Sequence, residues 1–306
     1  MPLMIRLPRN EAVLRDTGPY RSGLNMLNRS ETAVQRKLRR MGLAGFEPST
    51  QAAILALVQL SPRPVRFFDI GAHVGLYSAL VSAIYPPDVV QVTAFEPTPD
   101  TARICRQIAK RNRLPYHLEQ VALADRVGTA RLYVSSKAET SNSLAEGFRV
   151  AKDVIEVPLR TLDDYCLDTG IAPAVVKIDV ETLEPAVLRG GLATFERARP
   201  WVVSEILPES QPEEVGDVLD RLERIGYQMH RLNKDGSLMT ADAASVQRQA
   251  SGESRNWLLG PGPISTELDA AMQAWMRAIA ACTEESNIEV PAGTKPEPGW
   301  DESYRL

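Results

Sequence analysis

From residue 65 onward, short apolar runs alternate with stretches in which apolar residues recur every three or four positions. The runs 65–70, 89–95, 116–123, 174–178 and 201–206 are too short for amphipathic helices and read as buried strands. Helical patterns follow the first, second, fourth and fifth of them. The fourth is followed by a face of Leu183, Val187, Leu188, Leu192 and Phe195, and the fifth by Val215, Val218, Leu219, Leu222 and Ile225. Such alternation predicts an α/β fold with a doubly wound, mostly parallel sheet. Residues 129–160 break the rhythm, with two strands around the polar loop 135–147, and read as a β insertion before the fourth strand. Residues 226–260 read as a closing hairpin, 227–232 with 256–259, completing seven strands. Upstream, residues 31–60 read as two helices parted at 42–48, the second capped by Ser49 or Thr50. Downstream, a helix from about residue 266 leads to a tail with Pro291, Pro296, Pro298 and Gly299. The expected organisation is an N-terminal helical segment (1–60, a candidate lid), a central domain (61–265), and a C-terminal helix with an extended tail (266–306).

Composition narrows the class. The 306 residues are 44% hydrophobic and 24% charged, with net charge −4, so a chain-wide electrostatic grip on nucleic acid is not expected. No apolar run is long enough to span a bilayer, and the first ten residues lack a secretory signal's pattern. Three scattered cysteines without a CxxC pair fit a reducing, cytoplasmic setting. The charge is uneven. Residues 1–66 hold 11 basic and 4 acidic side chains, whereas residues 207–306 hold 9 and 17. The basic run Arg36, Lys37, Arg39 and Arg40 is either a solvated helix face or a rim that attracts an anionic or polyhydroxy substrate.

The candidate chemistry sits at strand ends. The first strand runs into Asp69-Ile70-Gly71-Ala72-His73-Val74-Gly75, a small-residue turn that lets backbone approach a ligand. It lacks the G-x-G-x-x-G spacing of a dinucleotide site. Glu96 ends the second strand, where a carboxylate can accept both hydroxyls of a ribose. Asp125 follows the third, within reach of an adenine amino group. Each acid alone could be a turn residue. Three at successive strand ends describe a pocket for adenosine without pyrophosphate, and S-adenosylmethionine is such a ligand.

The chain resembles the FkbM-type S-adenosylmethionine-dependent methyltransferases. The likeness runs in order through 68–75, Ala94-Phe95-Glu96-Pro97-Thr98-Pro99, 121–125, Thr161-Leu162-Asp163-Asp164-Tyr165, Val176-Lys177-Ile178-Asp179-Val180-Glu181 and 202–206. The resemblance implies a Rossmann-like class I methyltransferase fold and O-methylation of a saccharide or glycosylated small molecule. It leaves open a polyketide or other aglycone hydroxyl, a non-catalytic cofactor-binding protein, and a homodimer. Asp69, Gly71, His73, Gly75, Tyr77, Glu96 and Asp125 are the expected cofactor residues. His73 replaces an asparagine of the family pattern and Thr182 a glycine.

A sugar hydroxyl is a weak nucleophile, so methyl transfer to it needs a general base or a metal. The acids at the fourth and fifth strand ends are Asp179, Glu181 and Glu205, with Glu184 just beyond. Asp179 or Glu181 reads as a base. Asp179 and Glu205, with or without Glu181, read alternatively as Mg²⁺ ligands, or all of them as cap and substrate-binding groups. Lys177 lies on the same side of its strand as Asp179 and either pairs with it or polarises the acceptor. Ser141, Asn142 and Ser143 in the insertion, with Glu184, are candidates for acceptor recognition. His230 on the sixth strand is either structural or a reserve base and substrate ligand.

Overall fold

The computed structural model describes residues 3–27, 32–135, 142–145, 147–148, 150–210, 212–247 and 253–289. The chain opens with β1 (Leu3–Arg6), α1 (Glu11–Thr17), β2 (Gly23–Asn25), α2 (Ala33–Met41), a 3-10 turn (Leu43–Gly45) and α3 (Pro48–Leu60). Next come β3 (Val65–Ile70), α4 (Leu76–Ile84), β4 (Val90–Phe95), α5 (Pro99–Asn112), β5 (His117–Glu119), β6 (Ala122–Leu123), β7 (Gly128–Ser135) and β8 (Ala151–Arg160). They are followed by α6 (Leu162–Thr169), β9 (Val175–Ile178), α7 (Glu184–Arg189), α8 (Leu192–Ala198), β10 (Trp201–Glu205), α9 (Pro212–Arg224) and β11 (Gln228–Leu232). The chain closes with β12 (Leu238–Ala241), α10 (Ala243–Gln247), β13 (Asn256–Gly260), α11 (Thr266–Ala280) and β14 (Ile288–Glu289).

The main sheet has eight strands in the order β12-β11-β13-β10-β9-β3-β4-β5. Strands β5, β4, β3, β9 and β10 run parallel, and β13 enters antiparallel between β10 and β11. The winding reverses between β3 and β9, so the crevice beyond their carboxyl ends is where such sheets bind ligands.

Neighbouring phenylalanines explain how the sheet is covered. Successive strand residues face opposite sides. Phe67 therefore packs into one core with Val92, Val175 and Val203, and Phe68 into the other with Phe95, Val176 and Ile178. The first core is closed by α3, α4, α5 and α11, the second by α6 to α9. Residues 49–58 of α3 are buried all round, because α11 covers the side that the sheet does not, with Trp275 Nε1 donating to Gln59 Oε1 at 2.9 Å.

The structure departs from the sequence reading in several places. The expected third strand breaks after Glu119, and Ala122–Leu123 leaves the main sheet to pair with β8 beside β7. An eighth strand, β12, hangs on the edge of the expected seven, and β11 meets β13 across the β12–α10 excursion rather than through a tight turn. The N-terminal part is not purely helical, since β1 and β2 pair with each other and β14 pairs with β1. Helix α3 starts one residue before Ser49. Pro48 takes its first turn and Glu47, with a left-handed backbone, takes the cap position. The helix expected after the fourth strand splits into α7 and α8 at Gly190 and Gly191.

Candidate functional site

At the carboxyl ends of β3, β4, β9 and β10 the chain encloses a cavity of about 300 Å³. That lies at the small end of the range for ligand sites. Its floor is the turn after β3. Gly71 has φ +74°, and a Cβ there would fall 1.8 Å from the carbonyl oxygen of Asp179, so only glycine lets the turns after β3 and β9 touch. His73 also has a left-handed backbone, φ +52°, a conformation that asparagine and histidine adopt more readily than most residues. Gly75 caps α4 in the left-handed region but does not line the cavity.

Glu96 organises the wall beside this turn. One carboxylate oxygen accepts from the His73 amide at 2.8 Å, and the other from the Thr98 amide and the Thr101 hydroxyl, each at 2.8 Å. Asn142 and Ser143 of the insertion also reach the cavity, Asn142 beside this wall with Nδ2 donating to Thr98 Oγ1 at 3.5 Å. Asn142 Oδ1 accepts from the Ser135 amide, and the Ser143 hydroxyl donates to the Glu181 carbonyl at 2.7 Å. Ser141 lies outside the described residues.

Lys177 is the hub of the buried charges. Its Nζ donates to the Gly71 carbonyl at 3.0 Å and lies 3.2 Å from Asp179 Oδ2 and 3.8 Å from Asp69 Oδ1. Burial by itself would lower the proton affinity of this lysine. The combined fields of Asp179, Asp69 and Glu47 outweigh it and hold the pKa above the ordinary value, so Lys177 stays an ammonium and cannot act as a base. Asp69 is 0% exposed and lies behind the cavity wall, accepting from the Ser78 amide and hydroxyl. Tyr77 faces the cavity, with its ring 5.4 Å from the Lys177 ammonium and its hydroxyl donating to Glu47 Oε2 at 2.6 Å.

Four acids, Glu47, Asp179, Glu181 and Glu205, line the cavity beyond Lys177. Burial, and then repulsion from Asp179, Glu47, Glu181 and Glu184, pushes the pKa of Glu205 up to about 9. Burial likewise raises Glu47, with Asp179 adding to the rise. These acids do not suit Mg²⁺. Among the described residues no three His, Cys, Asp or Glu side chains are grouped to hold a metal ion. A dication on Asp179 would also sit beside the Lys177 ammonium. Asp179, expected with Glu205 as a metal ligand, is instead paired with the Lys177 ammonium.

Besides Asp69 and Gly75, three further expected site residues lie outside the cavity. Asp125 is outside the cavity, with Oδ2 3.2 Å from Arg189 Nε. Glu184 is buried behind the β9 turn, accepting from the Val180 amide at 2.9 Å, and burial pushes its pKa up to about 7. His230 is buried in β11, its Nδ1 3.3 Å from the Thr240 hydroxyl, away from the cavity. Conversely, Lys37 was visible only as one member of a basic run, and nothing in the sequence pointed to Phe46 and Glu47 from the N-terminal segment, or to Leu207 and Arg255. Glu47 reads in sequence as an ordinary acid before a proline, and Arg255 follows a polar stretch with no pattern.

The turn after β9 is strained. Glu181 and Thr182 have φ +55° and +82°, and a β-branched residue in that region is a genuine outlier. The expected strain exceeds the extra chain entropy that glycine loses on folding. Thr182→Gly should therefore stabilise the fold by about 1 kcal/mol in urea titrations. Equal or lower stability would show that this backbone is not strained.

The model of the methyltransferase FkbM domain matches residues 69–229. A methyltransferase FkbM from Methylobacillus flagellatus superposes with a TM-score of 0.43 at 15% identity, over 68% of this chain and 47% of that one. The chain thus spans about half the length of that protein. A precorrin-6y C5,15-methyltransferase from Geobacter metallireducens gives 0.36 at 13% identity, over 68% and 84% of the two chains. A TehB-like SAM-dependent methyltransferase from Corynebacterium glutamicum gives 0.34 at 12%, over 69% and 85%. No curated protein matches the sequence. Among the described residues, no helix is long and apolar enough to cross a membrane.

Proposed function

The chain belongs to the FkbM methyltransferase family, and from that premise we propose that it moves the methyl group of S-adenosylmethionine onto a hydroxyl of a saccharide or glycosylated metabolite. The observation that carries this reading is one cavity lined both by the turn after β3 with Glu96 and by the acids Asp179, Glu181 and Glu205. Three cysteines without a disulfide support action in the reducing cytoplasm.

Glu96 is fixed by three donors to the loops on either side of it, which supports its reading as the acceptor of the ribose hydroxyls. The glycine turn admits the rest of the cofactor against backbone. When bound, the sulfonium supplies an electrophilic methyl carbon and leaves as a neutral thioether. The acceptor oxygen forms the new C–O bond, and its proton must pass to a base. Glu205 suits that task. A carboxyl with a raised pKa is a strong base once ionised, and a cationic ligand beside it lowers that pKa toward the working pH. Lys177 holds Asp179 and the Gly71 carbonyl in place, which positions the turn on which the cofactor rests. Asn142 and Ser143 offer polar contacts to a hydroxylated acceptor, which favours a saccharide over a dry aglycone.

Calorimetry with S-adenosylhomocysteine tests the cofactor half. Glu96→Ala should weaken binding by roughly tenfold or more, while Asp125→Ala, outside the cavity, should change it less than about twofold. The absence of binding to the unaltered chain would sink the reading. Radiolabelled methyl transfer to a panel of saccharides and glycosides tests the other half. Turnover there should be unaffected by EDTA, because Asp179 already has the Lys177 ammonium as its counter-charge.

A further inference from the structure

The mouth of the cavity carries charge of the opposite sign to its interior. Inside, Lys177 is committed to Asp69, Asp179 and the Gly71 carbonyl. The other titratable groups of the interior are the carboxyls of Glu47, Glu96, Glu181 and Glu205, none of which can supply a positive charge. An anionic group brought inside would meet repulsion and no available cation. At the rim, two exposed cations line the same cavity, Lys37 from α2 and Arg255 from the approach to β13. Both lie outside the residues 69–229 that the family shares.

The Lys37 side chain and the Arg255 backbone are each tied to the cavity wall. Lys37 stands 5.4 Å from the centroid of the Phe46 ring, which also lines the cavity. Its helix is fixed at the start by the reciprocal Thr32 and Gln35 capping bonds, and by Gln35 Nε2 donating to the Met26 carbonyl at 2.8 Å. The Arg255 carbonyl accepts from the Ile206 amide at 2.9 Å, which ties Arg255 to the residue after Glu205. The acid nearest to Arg255 in sequence, Glu253, pairs with Arg231 at 2.7 Å. Among the described residues, neither Lys37 nor Arg255 has an ion-pair partner. Of the basic run in α2, only Lys37 lines the cavity.

Resting on the reading above, we propose that the acceptor is an anionic saccharide, whose phosphate, sulfate or uronate carboxylate is held at the mouth by Lys37 and Arg255 while its hydroxyl reaches toward Glu205. A guanidinium takes two oxygens of such a group at once, and an ammonium adds a point charge. The N-terminal segment then acts as a specificity element. It selects substrates by charge at the rim and leaves the chemistry to the strand ends.

The test uses the full chain saturated with S-adenosylhomocysteine and titrated with glucose, glucose 6-phosphate, glucose 6-sulfate and glucuronate. At least one anionic sugar should bind about tenfold or more tightly than glucose. Lys37→Ala and Arg255→Ala should each weaken that binding by roughly tenfold, with the advantage shrinking at high salt. Unchanged thermal midpoints and unchanged S-adenosylhomocysteine affinity in both variants show that fold and cofactor site are intact. Should either variant fail that control, Lys37→Gln and Arg255→Lys take its place. The proposal is overturned if none of the anionic sugars binds more tightly than glucose, or if both variants bind them like the unaltered chain. Methyl transfer to neutral saccharides alongside either of those results would sink the anion site and leave the methyltransferase reading standing. Failure to bind S-adenosylhomocysteine at all would sink both.

Discussion

Replacing Lys177 by methionine should destabilise the protein by on the order of 3–5 kcal/mol, the range for removing one partner of a buried charge cluster. The reason lies in Asp69, which is 0% exposed and has Lys177 as its counter-charge at 3.8 Å. Burial already raises the pKa of Asp69. Lys177 and the two bonds from Ser78 are what oppose that rise. Without the ammonium, Asp69 must take up a proton or remain a bare buried anion. The Gly71 carbonyl also loses its donor. The double variant Lys177→Met with Asp69→Asn removes both charges, so it should recover part of the loss. Urea titrations of the four members of this cycle provide the check. Additive losses from the two single variants would mean that Lys177 and Asp69 are not coupled.

The second large effect is expected at Glu205. Glu205→Gln keeps the shape of the side chain and removes its capacity to accept a proton. Methyl transfer should fall by roughly 10²–10⁴-fold in kcat, the usual range for a general base. A fall of less than threefold would assign the proton transfer to another acid. The same substitution has a signature in stability. The native carboxyl keeps its proton to about pH 9, against an ordinary value of 4.5. The folded state therefore holds a proton that the unfolded state releases, and stability declines as pH rises from about 4.5 to 9. Glutamine removes that decline. The variant should equal the parent near pH 4 and exceed it at pH 8 by on the order of 1–2 kcal/mol, a value reduced for the incomplete burial of the group. Denaturation curves at the two pH values decide it. Parallel losses in parent and variant would contradict the raised pKa.

Much of the central domain was legible because its signals are local. A buried strand in a parallel sheet needs a continuous apolar run, and a covering helix needs an apolar face. Phe67-Phe68 and the 183–195 pattern carry those signals in adjacent residues. The turn after β3 was legible because glycines at a strand end mark a small-residue turn, although the contact with Asp179 that demands Gly71 is long-range. The break after Glu119 was not legible. Residues 116–123 form one run, but Ala122 and Leu123 find a better partner in β8, which lies far along the chain. Helix α3 looked like an appendage before the sheet, and its apolar residues do not reveal that α11 covers its outer side.

The candidate site divides along the same line. Asp179, Glu181, Glu205, Lys177, Glu96 and Gly71 stand at strand ends, and strand ends can be read from the runs that precede them. Asp125 stands at a strand end too, yet the chain turns it outward to Arg189. Glu184 follows the same turn as Glu181, but the helix that begins there carries its carboxylate inward to the Val180 amide. The sequence by itself determined the kind of fold, the family and the set of acids, because these depend on composition and spacing within single elements. Only the tertiary structure decided which acids share a cavity, that Lys177 is held as an ammonium, and that Lys37, Glu47 and Arg255 join the site. Those outcomes depend on distances between residues far apart in the chain, and on how much water their packing excludes.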